Sequence, residues 1–532
     1  STMTSLNVDT TSFVHKHPDA ATITFSKPSK KPVNPLHDKV VPLGTAGSEQ
    51  SPIDSSSNDD QQNSQKSEAY PIFINTQFCR YEIVRDAAKS LCWPEYEGKF
   101  DNWTLFWFDK SSSVERVQRL KDFQMINHFP GIHGIARKVP LCQNMECMQR
   151  KFGLDQYGFY PQAWCLPTEI SKFKKWRESN KNRKEAFIIK PNAGSLGRGI
   201  ILTMDPEMEI QRHAGEAVVQ RYIDNPYLIE NHKFDLRVYV LITCIDPLRI
   251  YMYQEGIVRM CTEPYEMPTT ANVRTPFQHL TNYTLNKKNP NFKRAQKSQK
   301  QFNEKNPQVQ DEFTTGFKRS FRFLNDHFRQ HGIDSKKVWH DISDMLVKSV
   351  MSIQPSVKRM YERCTMGSKK GSLSTCFEVL GFDVLLDENL KPWLLEVNHS
   401  PSLNLETPLD RVVKLGLIKE CFQLLNIDPN DRVNYMRRQS MEARARIKGE
   451  QMDEEQLSSI PDLSFRRKTV EEQLEDTRER ERKYMNKYKL IYPAKRTQKY
   501  DVFIANGGRM MRRSAGMAKV PAKPKIEDEP DF

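Results

Sequence analysis

A chain of 532 residues is too long for one small domain, and about three lobes are expected of it. Its hydrophobic content of 38%, with 28 Phe, 18 Tyr and 7 Trp, is enough for a real core, while a mean hydropathy of −0.69 points to polar tails added to a folded body. A net charge of +14 and a pI of about 9.1 imply an acidic partner: a nucleic acid, an anionic membrane or an acidic protein.

Residues 1–68 read as a disordered tail, because a stretch such as "GSEQSPIDSSSNDDQQNSQKSE" (47–68) cannot bury enough apolar area to offset chain entropy. Order is predicted from Tyr70, in an αβ lobe over 69–165. There "YPIFINTQFCRYEIVRDAAKSL" reads as a short strand and a helix, and "WTLFWFD" (103–109) as a second strand. "VERVQRLKDFQMINHFPGI" is helical and then turns, and "NMECMQRKFG" is a short helix stopped by Gly153. A central lobe over 166–230 holds "EAFIIKPNAGSLGRGIILT" (185–203), a strand, a glycine loop and a strand, followed by the strand "EAVVQRYI" (216–223).

A third lobe spans 231–428. It opens with "KFDLRVYVLITCIDPLRIYMYQEGIVRM" (233–260), two long strands around Asp246-Pro247. Helices are predicted over 314–332, 337–357 and 409–427, and polar loops over 291–311 and 364–374. The segment "STCFEVLGFDVLLDENLKPWLLEVNHSP" (374–401) is a hairpin turning at Asp387-Glu388-Asn389. A basic helical extension is predicted over 429–500 and a disordered tail over 501–532. The class is α+β with an antiparallel sheet.

The ten cysteines form no framework. The nearest pair, Cys142 and Cys147, has no second pair at zinc-finger distance, so reduced thiols are expected. No signal-peptide core is visible, and apolar runs such as Val238–Ile245 fall far short of the ~20 residues of a membrane helix. The expectation is a soluble cytosolic chain with no membrane partner.

Polar residues interrupt three of the apolar runs. Glu396 and Asn398 stand two apart in "LLEVNHSPSL", so a strand presents both on one face, roughly 7 Å apart. Burial without partners would cost several kcal/mol. Asp383 of "GFDVLLD" lies in the strand that would pair with them. Three oxygen donors suit Mg²⁺ bridging the phosphates of a nucleotide; hydrogen bonds within the hairpin, or water, would serve as well. In "IIKPNAGSLGRGI" Lys190 ends a strand, and Gly194, Ser195, Gly197, Arg198 and Gly199 follow. Backbone N–H groups of such a loop can approach phosphate, and a Lys or Arg adds charge. It is neither a P-loop nor a dinucleotide fingerprint, because a strand follows it, and an ordinary glycine-rich hairpin would look the same. In "KFDLRVYVLI", period two puts Lys233, Asp235 and Arg237 on one face, as a solvated sheet face would also do. Arg259 in "EGIVRM" falls on the neighbouring strand, and "HLTNYTL" brings Thr281, Asn282 and His279, the last read as structural.

Taken in order, "IIKPNAGSLGRGI", "VVQRYI", "KFDLRVYVLI", "LRIYMYQEGIVRM", "HLTNYTLNK" and "GFDVLLDENLKPWLLEVNHSPSL" resemble the tubulin tyrosine ligase-like family, which has the ATP-grasp fold. The matching segments span about residues 185–405, and the last is most similar to the glutamate-adding members. The resemblance implies that Lys190 and Lys233 contact ATP phosphate and adenine. Gln220, with Arg221, Tyr222 and Ile223 after it, would hold adenine. Asp235 would contact the ribose, and Ser195, Gly197, Arg198 and Gly199 the phosphates, with Asn282 beside them. Arg237 and Arg259 would hold the γ-phosphate and substrate carboxylates, near Thr281 and Asn282. Asp383, Glu396 and Asn398 would be ligands of Mg²⁺, two ions in all, with Arg237, Arg259 and Glu396 as the catalytic set. Leu196 departs from the family, lying where related enzymes often carry a polar residue.

The implied reaction is ATP-dependent ligation of free L-glutamate to glutamate side chains or chains on tubulin C-terminal tails, through an acyl phosphate. The cations of the extension, Arg437, Arg438, Arg444, Arg446 and Lys448, would dock on the acidic microtubule. The expected setting is the cytoplasm and cytoskeleton, at microtubules of cilia, flagella or basal bodies, as a monomer. Nucleic acid is not expected, since the basic helix lacks interleaved aromatics. The alternatives are a catalytically silent axonemal protein of the same fold, or a glycine ligase.

Overall fold

A computed structural model of the chain describes residues 70–506 except 99–100, 193, 195–196, 213–214, 293–315, 366–373, 426, 450–469 and 495–496, all within the compact unit Ser67–Phe532. The predicted tail 1–68, Ser195, Leu196 and most of both polar loops therefore lie outside the described residues.

Three sheets organise the chain. β1 (Ile74–Asn75), β2 (Leu105–Phe106) and β3 (Met125–Ile126) pair in parallel, in that order. β4 (Ala163–Leu166), β5 (Phe187–Pro191), β6 (Ile201–Thr203) and β7 (Ala217–Arg221) form an antiparallel sheet in the order β4-β7-β5-β6. β8 (Leu228–Ile229), β9 (His232–Ile245), β10 (Leu248–Met260), β11 (Lys318–Ser320), β12 (Glu378–Leu386), β13 (Pro392–Asn398) and β14 (Tyr488–Tyr492) form the large sheet. Its order is β11-β10-β9-β12-β13, with β8 added to β9 and β14 to β10. The two long strands thus meet at Asp246-Pro247, and the hairpin of β12 and β13 turns where expected.

β9 shows how sequence period becomes a layered core. Phe234, Leu236, Val238, Val240 and Ile242 point to one face and are buried with Val338, Ile342 and Met345 of the helix Ser335–Met351. Each such side chain contributes roughly 1.5–3 kcal/mol by leaving water. The opposite face changes character along the strand. Tyr239 and Leu241 pack with Leu417 and Cys421 of the helix Pro408–Leu424, whereas Lys233, Asp235 and Arg237 are polar. That helix starts at a capping box in which Thr407 and Asp410 satisfy each other's backbone N–H.

Several elements differ from the sequence reading. "WTLFWFD" pairs only over Leu105–Phe106. The helix ending at Gly153 (φ +81°) begins earlier, at Lys138, and takes Pro140 in its first turn. The helix predicted from 314 begins at Phe321, where the Ser320 hydroxyl accepts the Phe323 N–H, and Lys318–Ser320 instead extend the sheet beside Arg259. The span 337–357 is divided between Ser335–Met351 and Gln354–Thr365.

The largest difference lies after residue 428. The helix Pro429–Lys448 is present, but it lies on the N-terminal lobe: Arg432 Nε donates to the Asn102 carbonyl, and Tyr435 packs on Phe123. Arg438, expected to face an acidic partner, is buried and paired with Asp122 and Glu442. Beyond the helix Val470–Tyr484 the chain returns to the sheet as β14. Glu481 reaches inward to Arg249, whose Nε lies 3.0 Å away, and also accepts from Tyr251. The tail expected from 501 starts with a helix, Asp501–Asn506, whose Phe503 is buried against Phe152 and Tyr157. Hydropathy alone hides this, because the segment anchors through single large or charged residues. Among the described residues no helix is long and apolar enough to cross a membrane.

Removing Glu481 would leave the Arg249 guanidinium buried and unpaired. Glu481→Ala is expected to cost about 3–5 kcal/mol in urea unfolding of the full chain. A loss under about 1 kcal/mol, as for an exposed pair, would show that this anchor is dispensable.

Candidate active site

Antiparallel register assembles the polar face. Asp235 is opposite Arg259, Arg237 opposite Asp383, Asp383 opposite Glu396, and Gly381 opposite Asn398. Residues directly opposite share a face, so one polar row crosses β10, β9, β12 and β13. Arg237 forks onto Asp383, with Nε to Oδ1 at 2.6 Å and Nη2 to Oδ2 at 3.1 Å. Arg259 forks onto Asp235 at 2.6 Å for both bonds, and its Nη2 also lies 2.8 Å from Asp383 Oδ2. Thr281 Oγ1 donates to Asp235 Oδ2 at 2.6 Å. Gly381 is what lets Arg237 lie flat across β12: a Cβ there would stand 3.1 Å from Arg237 Cδ and 2.9 Å from Pro401 Cβ.

Two cations and two anions balance in this lattice, and Glu396 is the charge left over. Burial would raise the Asp383 carboxyl, but Arg237 and then Arg259 outweigh it and hold it well below the usual carboxylate range. Burial and the neighbouring Asp383 push Glu396 the other way, upward. Its nearest cation is Lys138, 3.9 Å away, and Asn398 Nδ2 donates to it at 3.3 Å.

A hard cation would relieve this corner, and two carboxylates with an amide are a suitable oxygen set. Among the described residues no group of three or more His, Cys, Asp and Glu could hold a metal alone. Asp383 already gives both oxygens to arginines. The residues therefore fit a cation that brings further oxygens with it, as a Mg²⁺ on phosphates does.

On one side of Glu396 lies a cleft of about 640 Å³, open to solvent, between the two antiparallel sheets. Ile188, Ile200, Leu385 and Leu395 line it, with Lys190, Gln220, Lys233 and Asn282 among the polar groups. Lys190 Nζ donates to Gln220 Oε1 at 2.7 Å, and Lys233 Nζ to Tyr222 Oη at 2.7 Å while lying 4.0 Å from the Tyr222 ring centre. Burial pushes each ammonium down to about 8. Gln220 Nε2 and His279 Nε2 are buried with no partner among the described residues. His279 therefore belongs to this wall, although a lone loop histidine reads as structural. Arg221 and Ile223 also line the cleft, and the Arg221 guanidinium is tied to Glu185 at 2.7 Å.

On the other side of Glu396 a groove of about 1300 Å³ is lined by Arg137, Lys138, Arg198, Asn398 and His399. The glycine loop passes over the junction. Gly197 has φ +76°, and a Cβ there would stand 3.1 Å from the Asn282 carboxamide. Gly199, at φ +74°, crosses Pro191. Lys138 Nζ donates to the Gly194 carbonyl at 3.2 Å, tying the loop to the N-terminal lobe.

Arg137, Lys138 and His399 are absent from the candidates drawn from the sequence. A signal existed for two of them. Arg137 and Lys138 begin a helix with no acidic residue in its first turn, where the macrodipole disfavours cations, so another interaction must hold them.

A profile of the tubulin-tyrosine ligase family matches residues 116–435. The chain belongs to that family and has its ATP-grasp-like fold. It is 38% identical over 447 residues to the mouse protein named tubulin polyglutamylase TTLL13, covering 84% of this chain and 52% of that one. It is 37% identical over 444 residues to zebrafish tubulin polyglutamylase ttll6, covering 84% and 53%. Against a probable beta-tubulin polyglutamylase of Tetrahymena thermophila it is 39% identical over 357 residues, covering 67% and 28%. The chain spans about half the length of most of these curated relatives.

The two buried lysines set a pH dependence of known sign. Between pH 8 and 10.5 each binds fewer protons folded than unfolded, so the ligand-free protein gains stability across that window. Affinity for a polyphosphate runs the opposite way, falling roughly 10-fold per phosphate-bound lysine from pH 7 to 9. Fluorescent ATP titration across that range should show the fall. A flat profile would remove both ammonium groups from phosphate binding.

Proposed function

We propose that this chain is an ATP-dependent carboxylate–amine ligase that adds glutamate to glutamate side chains or growing chains on tubulin C-terminal tails. The observation that supports this best is the position of Glu396 at the junction of an apolar-walled cleft and a cationic groove, beside the arginine-held Asp383. The names of the relatives point to the same substrate.

Gln220, Tyr222 and Ile223 line the inner cleft and would take the base, with His279 Nε2 and Gln220 Nε2 as its free polar groups. Lys190 and Lys233 supply positive charge there; Gly197, Arg198 and Gly199 cover the phosphates beside Asn282, with Ser195 in the same loop. Asp383, Glu396 and Asn398 would hold the magnesium ions. When bound, Mg²⁺-ATP supplies the phosphoryl group that makes a carboxylate electrophilic and the charge that holds the phosphates in place.

The protein's own work is positioning and charge neutralisation. Asp235, itself locked by Arg259 and Thr281, would face the ribose and fix the Arg259 fork. Arg237 and Arg259, held by Asp383 and Asp235, would stand beside the transferring group and offset charge that builds there. Arg137, Lys138 and Arg198 make the groove cationic, which suits the carboxylates of an acidic tail and of the incoming glutamate. The Lys138 contact with the Gly194 carbonyl ties the glycine loop to the N-terminal lobe at the edge of the junction.

The basic helix adds a docking face for the acidic polymer. Arg437, Arg444, Arg446 and Lys448 are exposed along it, without Arg438. That face supports reading the activity as one at microtubules of the cytoskeleton, with cilia, flagella or basal bodies as the proposed setting.

Glu396→Gln is expected to lower glutamate transfer at least 10²–10³-fold, the scale of losing one charge-stabilising group. The assay combines full chain, ATP, labelled glutamate and tubulin, with mass spectrometry of the tails. Wild-type transfer by the variant would refute the proposed role, and labelled glycine in parallel separates a glycine ligase. Microtubule co-pelleting should weaken steeply between 50 and 200 mM salt, and should weaken further when Arg444, Arg446 and Lys448 are replaced together by Glu. Salt-indifferent pelleting would contradict charge-driven docking.

A further inference from the structure

Three histidines with no part in the proposed reaction meet behind β13. His128 follows β3, and both its ring nitrogens face acceptors: Nδ1 is 2.9 Å from Glu378 Oε1 and Nε2 is 3.0 Å from the Phe108 carbonyl oxygen. Glu378 opens β12 and is fully buried, and its Oε2 accepts the Phe129 backbone N–H at 2.8 Å. Asn127 Nδ2 also lies 3.4 Å from Nε2, so the ring is held through both nitrogens. The same junction is stitched by backbone: Ile126 N–H donates to the Thr375 carbonyl at 2.9 Å and Phe377 N–H to the Ile126 carbonyl at 3.0 Å.

The pair lies next to the groove. The His128 ring meets the His399 ring edge-to-face, with centres 5.8 Å apart, and His133 meets His399 from another side at 4.9 Å. His399 directly follows Asn398, and its ring is a wall shared by the groove and a smaller cavity of about 310 Å³. Ten residues after His128 the chain reaches Lys138. The buried pair is thus one ring contact from His399 on one side of the groove mouth and ten residues along the chain from Lys138 on the other.

Docking two lobes does not need a buried ion pair, since apolar residues of similar volume do it as well or better. Hydrogen bonds at both ring nitrogens give something an apolar contact lacks, a fixed rotation of the imidazole. We propose that Glu378 and His128 are positioning residues for the acceptor side of the active site. They set the His399 ring and the helix start that bears Lys138 against β13, where an acidic peptide lies. The inference rests on reading the cationic groove as the acceptor's place.

Two substitutions of the full chain test it. Glu378→Gln preserves the pattern: its amide N–H can donate to His128 Nδ1 and its oxygen can accept from Phe129. Glu378→Leu keeps comparable volume and removes all of these bonds. Each is read by thermal unfolding, by affinity for a fluorescent ATP analogue, by affinity for a glutamate-rich peptide, and by kcat and KM for that peptide. The glutamine variant should stay within about 3-fold of wild type throughout. The leucine variant should bind the ATP analogue within about 3-fold of wild type while its peptide KM or Kd rises about 10-fold or more. Equal losses for nucleotide and peptide, or no selective loss for peptide, would overturn the inference. If the leucine variant does not fold, His128→Gln is read by the same criteria. The peptide-binding arm stands apart from catalysis, so a wild-type chain that binds peptide but transfers no glutamate would defeat the proposed activity alone.

Discussion

Everything at the candidate active site depends on one electrostatic arrangement: two arginines and two aspartates alternating across the middle of a sheet. Asp235, Arg259, Asp383 and Arg237 sit on adjacent strands in a register fixed by the backbone ladder. Each alone would be ruinous to bury. Together they are neutral and hydrogen-bonded in forked pairs. The lattice is neutral by itself, and Glu396 stands outside it as a further negative charge that Lys138 and Lys190 offset only in part. The electrostatic demand for a cation arises from this excess, at the place where cleft and groove meet.

Around this fixed centre, further parts converge from separate lobes. The glycine loop arrives from the middle sheet, Lys138 from the N-terminal lobe, and His279 and Asn282 from a loop after β10. Among the described residues they meet through contacts such as Lys138 on the Gly194 carbonyl, the Val139 N–H on Asn192 and Gly197 beside the Asn282 amide. β14, Glu481 and Phe503 bind the C-terminal segment to the body, so the basic helix is held at its own face and followed by a further anchor.

Much of the sheet was legible in the sequence, because its signals are local. Period two in "KFDLRVYVLI" placed Lys233, Asp235 and Arg237 on one face, and the two-residue spacing of Glu396 and Asn398 did the same on β13. Turn residues located both hairpins. Features set by distant partners were not legible. Lys318–Ser320 became a strand because β10 had an open edge, and Tyr488–Tyr492 because another part of that edge remained. Arg438 looked like its basic neighbours until Asp122 lay beside it. His128 and Glu378 are 250 residues apart, and nothing near either announces the other.

The central claim is that the corner of Asp383, Glu396 and Asn398 holds a hard cation only together with a nucleotide. Electron paramagnetic resonance of Mn²⁺, titrated into the full chain with and without a non-hydrolysable ATP analogue, measures this directly. The expected result is protein-bound Mn²⁺ that requires the analogue and is lost in Glu396→Gln with Asn398→Ala, while the analogue still binds in the presence of a chelator. Mn²⁺ bound equally by the double variant, or bound by neither protein with nucleotide present, would contradict the claim.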